Sequence, residues 1–156
     1  MADQYKKPYL DSSVFIAWIK GEIIEGVDRK KIAEHILNQA SRGEFQIYTS
    51  TLTLAEVHKP RHGTRLADDQ DERILAYFEH DFFRLVDVDR NIAEQANRLC
   101  REHNIAPNDA IHVACALRAG CDVLLAWDDK LIKVKHPKLQ LAEPQMLGQH
   151  EMDLGE

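Results

Sequence analysis

Five short apolar stretches, "PYL", "FQIYTS", "FFRLVDV", "DVLLAW" and "KLQLA", recur along this chain, and helical segments lie between them. "SSVFIAWIK" ends at Gly21, and "DRKKIAEHILNQASRG" puts Ile32, Ile36 and Leu37 on one face before stopping at Gly43. "LTLAEVHK" is a short helix ended by Pro60, and "DERILAYFEHD" and "DRNIAEQANRLCREHN" are longer ones. "PNDAIHVACALRAG" is apolar almost all round, as a buried helix is, and "DDKLIK" is a helical turn. Strands separated by helices predict a three-layer α/β/α sandwich with a mainly parallel central sheet and right-handed crossovers. The length of 156 residues suits one domain with a substantial core. Its core spans about residues 8–142, "RHGTRLADDQ" is a polar loop, and residues 143–156 form a loosely held tail.

The three cysteines, Cys100, Cys115 and Cys121, are odd in number and lack a C-x-x-C spacing, so neither a disulfide framework nor a zinc site is expected. The start "MADQYKKPYL" has no apolar signal region, and no apolar run reaches membrane-spanning length. A soluble, cytoplasmic protein with no membrane partner is the expectation. The formal net charge of −6 does not advertise a nucleic-acid binder, but net charge says little about local fields. Basic residues cluster at "DRKK", "HKPRHGTR" and "DKLIKVKHPK".

Acidic residues recur at one structural address. Asp11 follows "PYL", Glu56 lies in the first turn of the helix after "FQIYTS", Asp109 lies in the first turn of "PNDAIHVACAL", and Asp128 follows "DVLLAW". In a parallel sheet the carboxyl ends of the strands share one edge, where open α/β proteins place their sites. Each acid also has a purely structural reading. Asp11 and Asp128 are good N-caps, "TLAE" is a capping box from Thr53 to Glu56, and Asp109 suits the positive end of its helix. Capping accepts Ser, Thr, Asn, Asp or Gly, however, and has no reason to choose a carboxylate four times on one edge. Converging carboxylates repel unless a cation sits among them. Mg2+ or Mn2+, hard and bound by oxygen, is the economical choice. Such an ion acidifies a bound water and offsets charge on a phosphodiester, so metal-dependent phosphate-ester hydrolysis is the chemistry to expect.

The stretches "YLDSSVFIAWI", "STLTLAEV", "PNDAIHVACAL" and "LLAWDDKL" stand in the order and spacing of the PIN domain, and most resemble the VapC-type toxin ribonucleases. The resemblance runs from about Tyr9 to Leu141. It implies catalytic and metal-binding roles for Asp11, Glu56, Asp109 and Asp128, and a Mg2+- or Mn2+-dependent endoribonuclease. It further implies a homodimer held inactive by a small antitoxin protein, with RNA as substrate. A supporting hydroxyl falls on Ser12 or Ser13. The family often has Thr or Ser two residues before the fourth acid, where this chain has Ala126, which makes Asp129 the fallback acid there.

Arg61, Arg65, Lys130 and Lys133 are candidate contacts to RNA phosphates, and Trp127, next to Asp128, is a candidate stacking platform for a base. Trp18, Phe15, Tyr77 and Phe78 are assigned to packing. His112, one helical turn after Asp109, is assigned to a packed helix, since a hard-cation site would not select it. The alternative function is a catalytically silent PIN-like module that binds RNA or protein. A haloacid-dehalogenase-like phosphatase fits worse, because Ser13 stands where a second aspartate is wanted.

Overall fold

The computed structural model describes residues 5–58 and 68–145. The first strand, β1 (Pro8–Leu10), passes straight into α1 (Ser12–Lys20), which ends on Gly21 in the left-handed region at φ 67°. A small antiparallel hairpin follows, β2 (Ile23–Ile24) and β3 (Val27–Asp28), leading into α2 (Arg29–Ser41). Then come β4 (Ile47–Ser50), α3 (Thr51–Glu56), α4 (Asp68–Tyr77) and β5 (Phe83–Val86). The chain closes with α5 (Arg90–His103), α6 (Pro107–Ala119), β6 (Val123–Leu125), α7 (Asp129–Ile132) and β7 (Gln140–Ala142).

Five strands form one sheet in the order β5-β4-β1-β6-β7, and every neighbouring pair is parallel. Tyr9 in the central strand stands opposite Tyr48 on one side and Leu124 on the other. Because strand side chains alternate, the two faces collect different cores. Tyr9 and Leu124 pack with Ile92, Ala96 and Leu99 of α5 and with Val113, Ala114 and Cys115 of α6. Leu10, Val123 and Leu125 pack on the other face with Val14 and Phe15 of α1, Ala33, Ile36 and Leu37 of α2, and Phe78. Strands with no polar side to spare and helices over both faces make the expected α/β/α sandwich.

The order of the strands locates the place where a site is expected. From β1 the sheet grows through β4 to β5 in one direction, then returns to add β6 and β7 on the other side of β1. Such a reversal leaves a crevice at the carboxyl ends of β1 and β6. Asp11 and Asp128 follow those two strands.

One element is new, and two local expectations are corrected. The hairpin of β2 and β3 carries no long apolar pattern; its two-residue strands turn through Glu25 and Gly26, both at positive φ, and leave Ile23 and Val27 exposed. The polar loop "RHGTRLADDQ" gives way to α4 from Asp68, three residues earlier than the expected helix start, and that helix ends at Tyr77 rather than Asp81. The rest of the loop, with Arg61 and Arg65, lies outside the described residues, as does the tail from residue 146. The capping box is absent: α3 starts after Ser50, and Glu56 is its last residue. Thr53 turns its hydroxyl inward to Thr49 Oγ1 at 2.7 Å instead, while Thr49 Oγ1 donates to the carbonyl of Leu10 at 2.8 Å. That pair of bonds ties α3 to the end of β1. No described helix is long and apolar enough to cross a membrane.

Candidate active site

Each of the four acids is delivered by a different junction. Asp11 is the N-cap of α1, and its amide donates to Leu125 O at 3.2 Å, so the β1–β6 ladder runs up to this residue. Its Oδ1 accepts both the amide of Ser13 at 3.0 Å and the hydroxyl of Ser13 at 2.5 Å. The Ser13 hydroxyl in turn accepts the amide of Trp127 at 3.3 Å, joining the ends of β1 and β6. Asp128 caps α7, its Oδ1 accepting the amides of Lys130 at 2.9 Å and Leu131 at 3.0 Å. Asp109 stands in the first turn of α6, behind Pro107, whose missing amide costs nothing at that position. For Asp11 and Asp128 capping and site geometry coincide, because the cap holds one oxygen and fixes the carboxylate at the sheet edge.

Glu56 is held from three sides. Its Oε1 accepts from His112 Nε2 at 2.8 Å and its Oε2 from Asn108 Nδ2 at 3.0 Å, with the Ser12 hydroxyl as a further donor. Burial works to raise this carboxyl, but those hydrogen bonds and the electrostatic pull of His112 outweigh it and hold Glu56 at about 2. Asp11 behaves oppositely. Burial pushes it up to about 6, and the charge of Asp109 adds to that, against the pull of His112 and the Ser13 bonds. Asp109 is also raised, by burial first and then by the charges of Asp128 and Glu56, with His112 opposing. Asp109 therefore feels or acts on each of the other three acids. The predicted group is electrostatically one cluster, with Asp109 at its centre.

His112, set aside as a packing residue, and Asn108, not singled out from the sequence, are the neighbours that hold Glu56. His112 is buried, as expected, but it is bonded to an acid of the cluster rather than only packed. The available signal was their spacing: residues four apart share one helix face, and Asp109 lies on the same turn. The expected roles of the serines divide cleanly, with Ser13 on Asp11 and Ser12 on Glu56. Asp129 is exposed in the first turn of α7, and Lys130 and Lys133 are exposed beside Asp128. The stacking role expected for Trp127 is not what its place allows. Its side chain is buried in the core with Leu125 and Phe15, and the guanidinium of Arg29 lies 4.9 Å over its ring. A covered, buried indole offers no open face to a base.

The donor set suits a hard divalent cation: four carboxylates and no free nitrogen, because both ring nitrogens of His112 are already engaged. Both hydrogen bonds to Asp11 fall on Oδ1, which leaves Oδ2 as its available donor. Among the described residues no three of His, Cys, Asp and Glu stand close enough to grip an ion together. Burial first and repulsion second raise Asp11 and Asp109, and a cation between them would oppose both shifts.

Solved structures of the same fold include a toxin-antitoxin complex from Klebsiella pneumoniae, at 20% identity over 85% of this chain and 95% of that one, TM-score 0.62. VapC20 of Mycobacterium tuberculosis, a Sarcin-Ricin loop cleaving toxin, matches at 18% identity over 86% and 99%, TM-score 0.62. VapBC2 of Rickettsia felis, bound to a DNA fragment from its promoter, matches at 16% identity over 88% and 99%, TM-score 0.61. At these identities the likeness is one of fold. No curated protein matches by sequence. The model of the PIN domain matches residues 9–137, a span that takes in all four acids, and the chain belongs to the PIN domain family.

Proposed function

We propose that this protein is a Mg2+- or Mn2+-dependent endoribonuclease and the toxin of a toxin–antitoxin pair. The observation that carries the reading is the gathering of four acids around Asp109, whose carboxyl is raised by burial and then by the charges of Asp128 and Glu56 and which itself raises Asp11, an arrangement that stability alone gives no reason to assemble. PIN domains are generally nucleases, and the similar folds include toxins with their antitoxins and one that cleaves an RNA loop. The expected partners are a small antitoxin protein and a second copy of this chain.

Asp11, Asp109 and Asp128 are the groups that would hold the ion, in part through its own waters since no three described side chains grip it together, with Glu56 acting through water because both of its oxygens are already bonded. When bound, the ion supplies a water acidic enough to attack phosphorus at neutral pH and offsets charge on the phosphodiester. Ser13 keeps Asp11 pointed, and the donors around Glu56 keep that carboxylate charged and still. Lys130 and Lys133, exposed on the helical turn that Asp128 caps, are the cations that would hold the RNA backbone without sequence preference. RNA loops are the expected substrates, because their bases are unstacked and open to a protein.

The purified chain, freed of any co-purifying protein, is expected to cut a structured RNA only when Mg2+ or Mn2+ is present. Asp11→Asn is expected to abolish cutting. Cutting that persists in Asp11→Asn would remove this site from the chemistry. A chain that binds Mn2+ but cuts no RNA would instead be a silent binding module.

A further inference from the structure

Behind Glu56 runs a buried chain of hydrogen bonds that reaches the middle of the sheet. The Tyr9 hydroxyl stands 2.7 Å from His112 Nδ1, and His112 Nε2 stands 2.8 Å from Glu56 Oε1. Tyr9 is fully buried in β1, and His112 is 1% exposed. Their rings meet edge to face, with centroids 5.7 Å apart. Neither residue contributes a carboxylate, and neither is needed to build a strand or a helix. A Phe and a Leu would fill the same space with no polar group to satisfy.

We propose that Tyr9 and His112 are positioning residues for Glu56: the Tyr9 hydroxyl donates to Nδ1 and thereby fixes His112 as the tautomer whose Nε2–H points at the carboxylate. When the ring is neutral, the chemistry of its two nitrogens requires this order. A carboxylate only accepts hydrogen bonds, so the nitrogen facing it must carry the proton. In the neutral ring Nδ1 is then an acceptor, and the phenol, whose proton burial holds on well above its ordinary range, is the donor it meets. The other neutral tautomer would turn a lone pair onto Glu56 and an N–H onto the phenol oxygen. Buried imidazoles that support a metal site through a carboxylate are aligned in just this way, with the far nitrogen deciding the near one. Asn108 holds the second carboxylate oxygen from the same helix, so Glu56 is left one orientation.

The consequence for function rests on the acids being a metal centre, but the tautomer does not, and the two can be read separately. Nitrogen-detected NMR of the imidazole, at a pH where the ring is neutral, is expected to show Nε2 protonated and Nδ1 bare. Tyr9→Phe is expected to give a mixture of tautomers. Mn2+ affinity is expected to fall about tenfold in Tyr9→Phe and about 10- to 100-fold in His112→Leu, the range typical of groups that orient metal ligands. His112→Gln, whose amide can still donate to Glu56, is expected to recover most of that loss. A neutral wild-type ring protonated on Nδ1, or a Tyr9→Phe ring with an unchanged tautomer, would overturn the proposal. So would His112→Leu and His112→Gln that bind Mn2+ equally. Absence of Mn2+ binding by the wild type would overturn the metal reading alone, with the two spectra still deciding the positioning claim.

Discussion

Asp109→Asn is expected to lower metal-dependent RNA cleavage by about a hundred- to a thousandfold, the scale on which removing one preorganised group from a reacting centre is felt. The choice of residue follows from the electrostatics. Asp109 is raised by burial and then by the charges of Asp128 and Glu56, and itself raises Asp11, so its charge is coupled to all three others. Asparagine keeps its shape and its place in the first turn of α6 and removes only the charge. The loss should therefore appear in the rate without a loss of folded structure. Because ionised Asp109 is disfavoured in the metal-free cluster, the variant should also be at least as stable as the wild type when no metal is present. Unimpaired cleavage by a folded Asp109→Asn protein, measured on the same RNA and at saturating Mg2+, would contradict the role of the cluster's central charge.

The second large effect is on stability. An acid whose folded value is raised binds its proton more tightly in the native state, so its contribution favours folding at low pH and is lost as pH rises. For Asp11 the ordinary value is 3.8 and the folded value about 6, so metal-free stability should fall as pH is raised between these limits. The difference corresponds to about 3 kcal/mol if nothing else relaxes. Glu56 acts in the opposite sense: its depressed value gives stability that is present above 4.5 and lost as pH falls toward about 2. Together these two groups put their best contribution to the metal-free protein near pH 4–5. Chemical denaturation across this range in a chelating buffer is the measurement. Asp11→Asn should flatten the loss between pH 4 and pH 6. Saturating Mg2+ should restore the wild type, since a ligand of the native state stabilises it by mass action. A wild-type stability that rises through pH 6, in the absence of metal, would show that a partner offsets the burial of Asp11.

The sheet and the acids were legible in the sequence for the same reason. Strands such as "DVLLAW" are apolar on both faces because helices cover both, and an acid that directly follows such a strand has only the sheet edge to occupy. The strands themselves are shorter than their apolar runs. Trp127, for example, is apolar because it is core, not because it pairs in a strand. Glu56 shows where local reasoning fails: "TLAE" has the spacing of a capping box, but Thr53 is turned inward by Thr49, and the tertiary partners of Glu56 come from α6. Nothing near residue 56 in sequence announces His112. The hairpin of β2 and β3 was illegible because two-residue strands carry no period to read. Trp127 was misread because adjacency to Asp128 does not fix direction: successive residues leaving a strand point to opposite sides.

The direct test of the cation site is a calorimetric titration of the metal-free protein with Mn2+, run in parallel on the wild type and Asp109→Asn. A saturable site in the wild type, weakened at least about tenfold in the variant, is the predicted result. Equal Mn2+ binding by the two proteins, or none by the wild type, would contradict the claim that these four carboxylates are gathered to hold a metal ion.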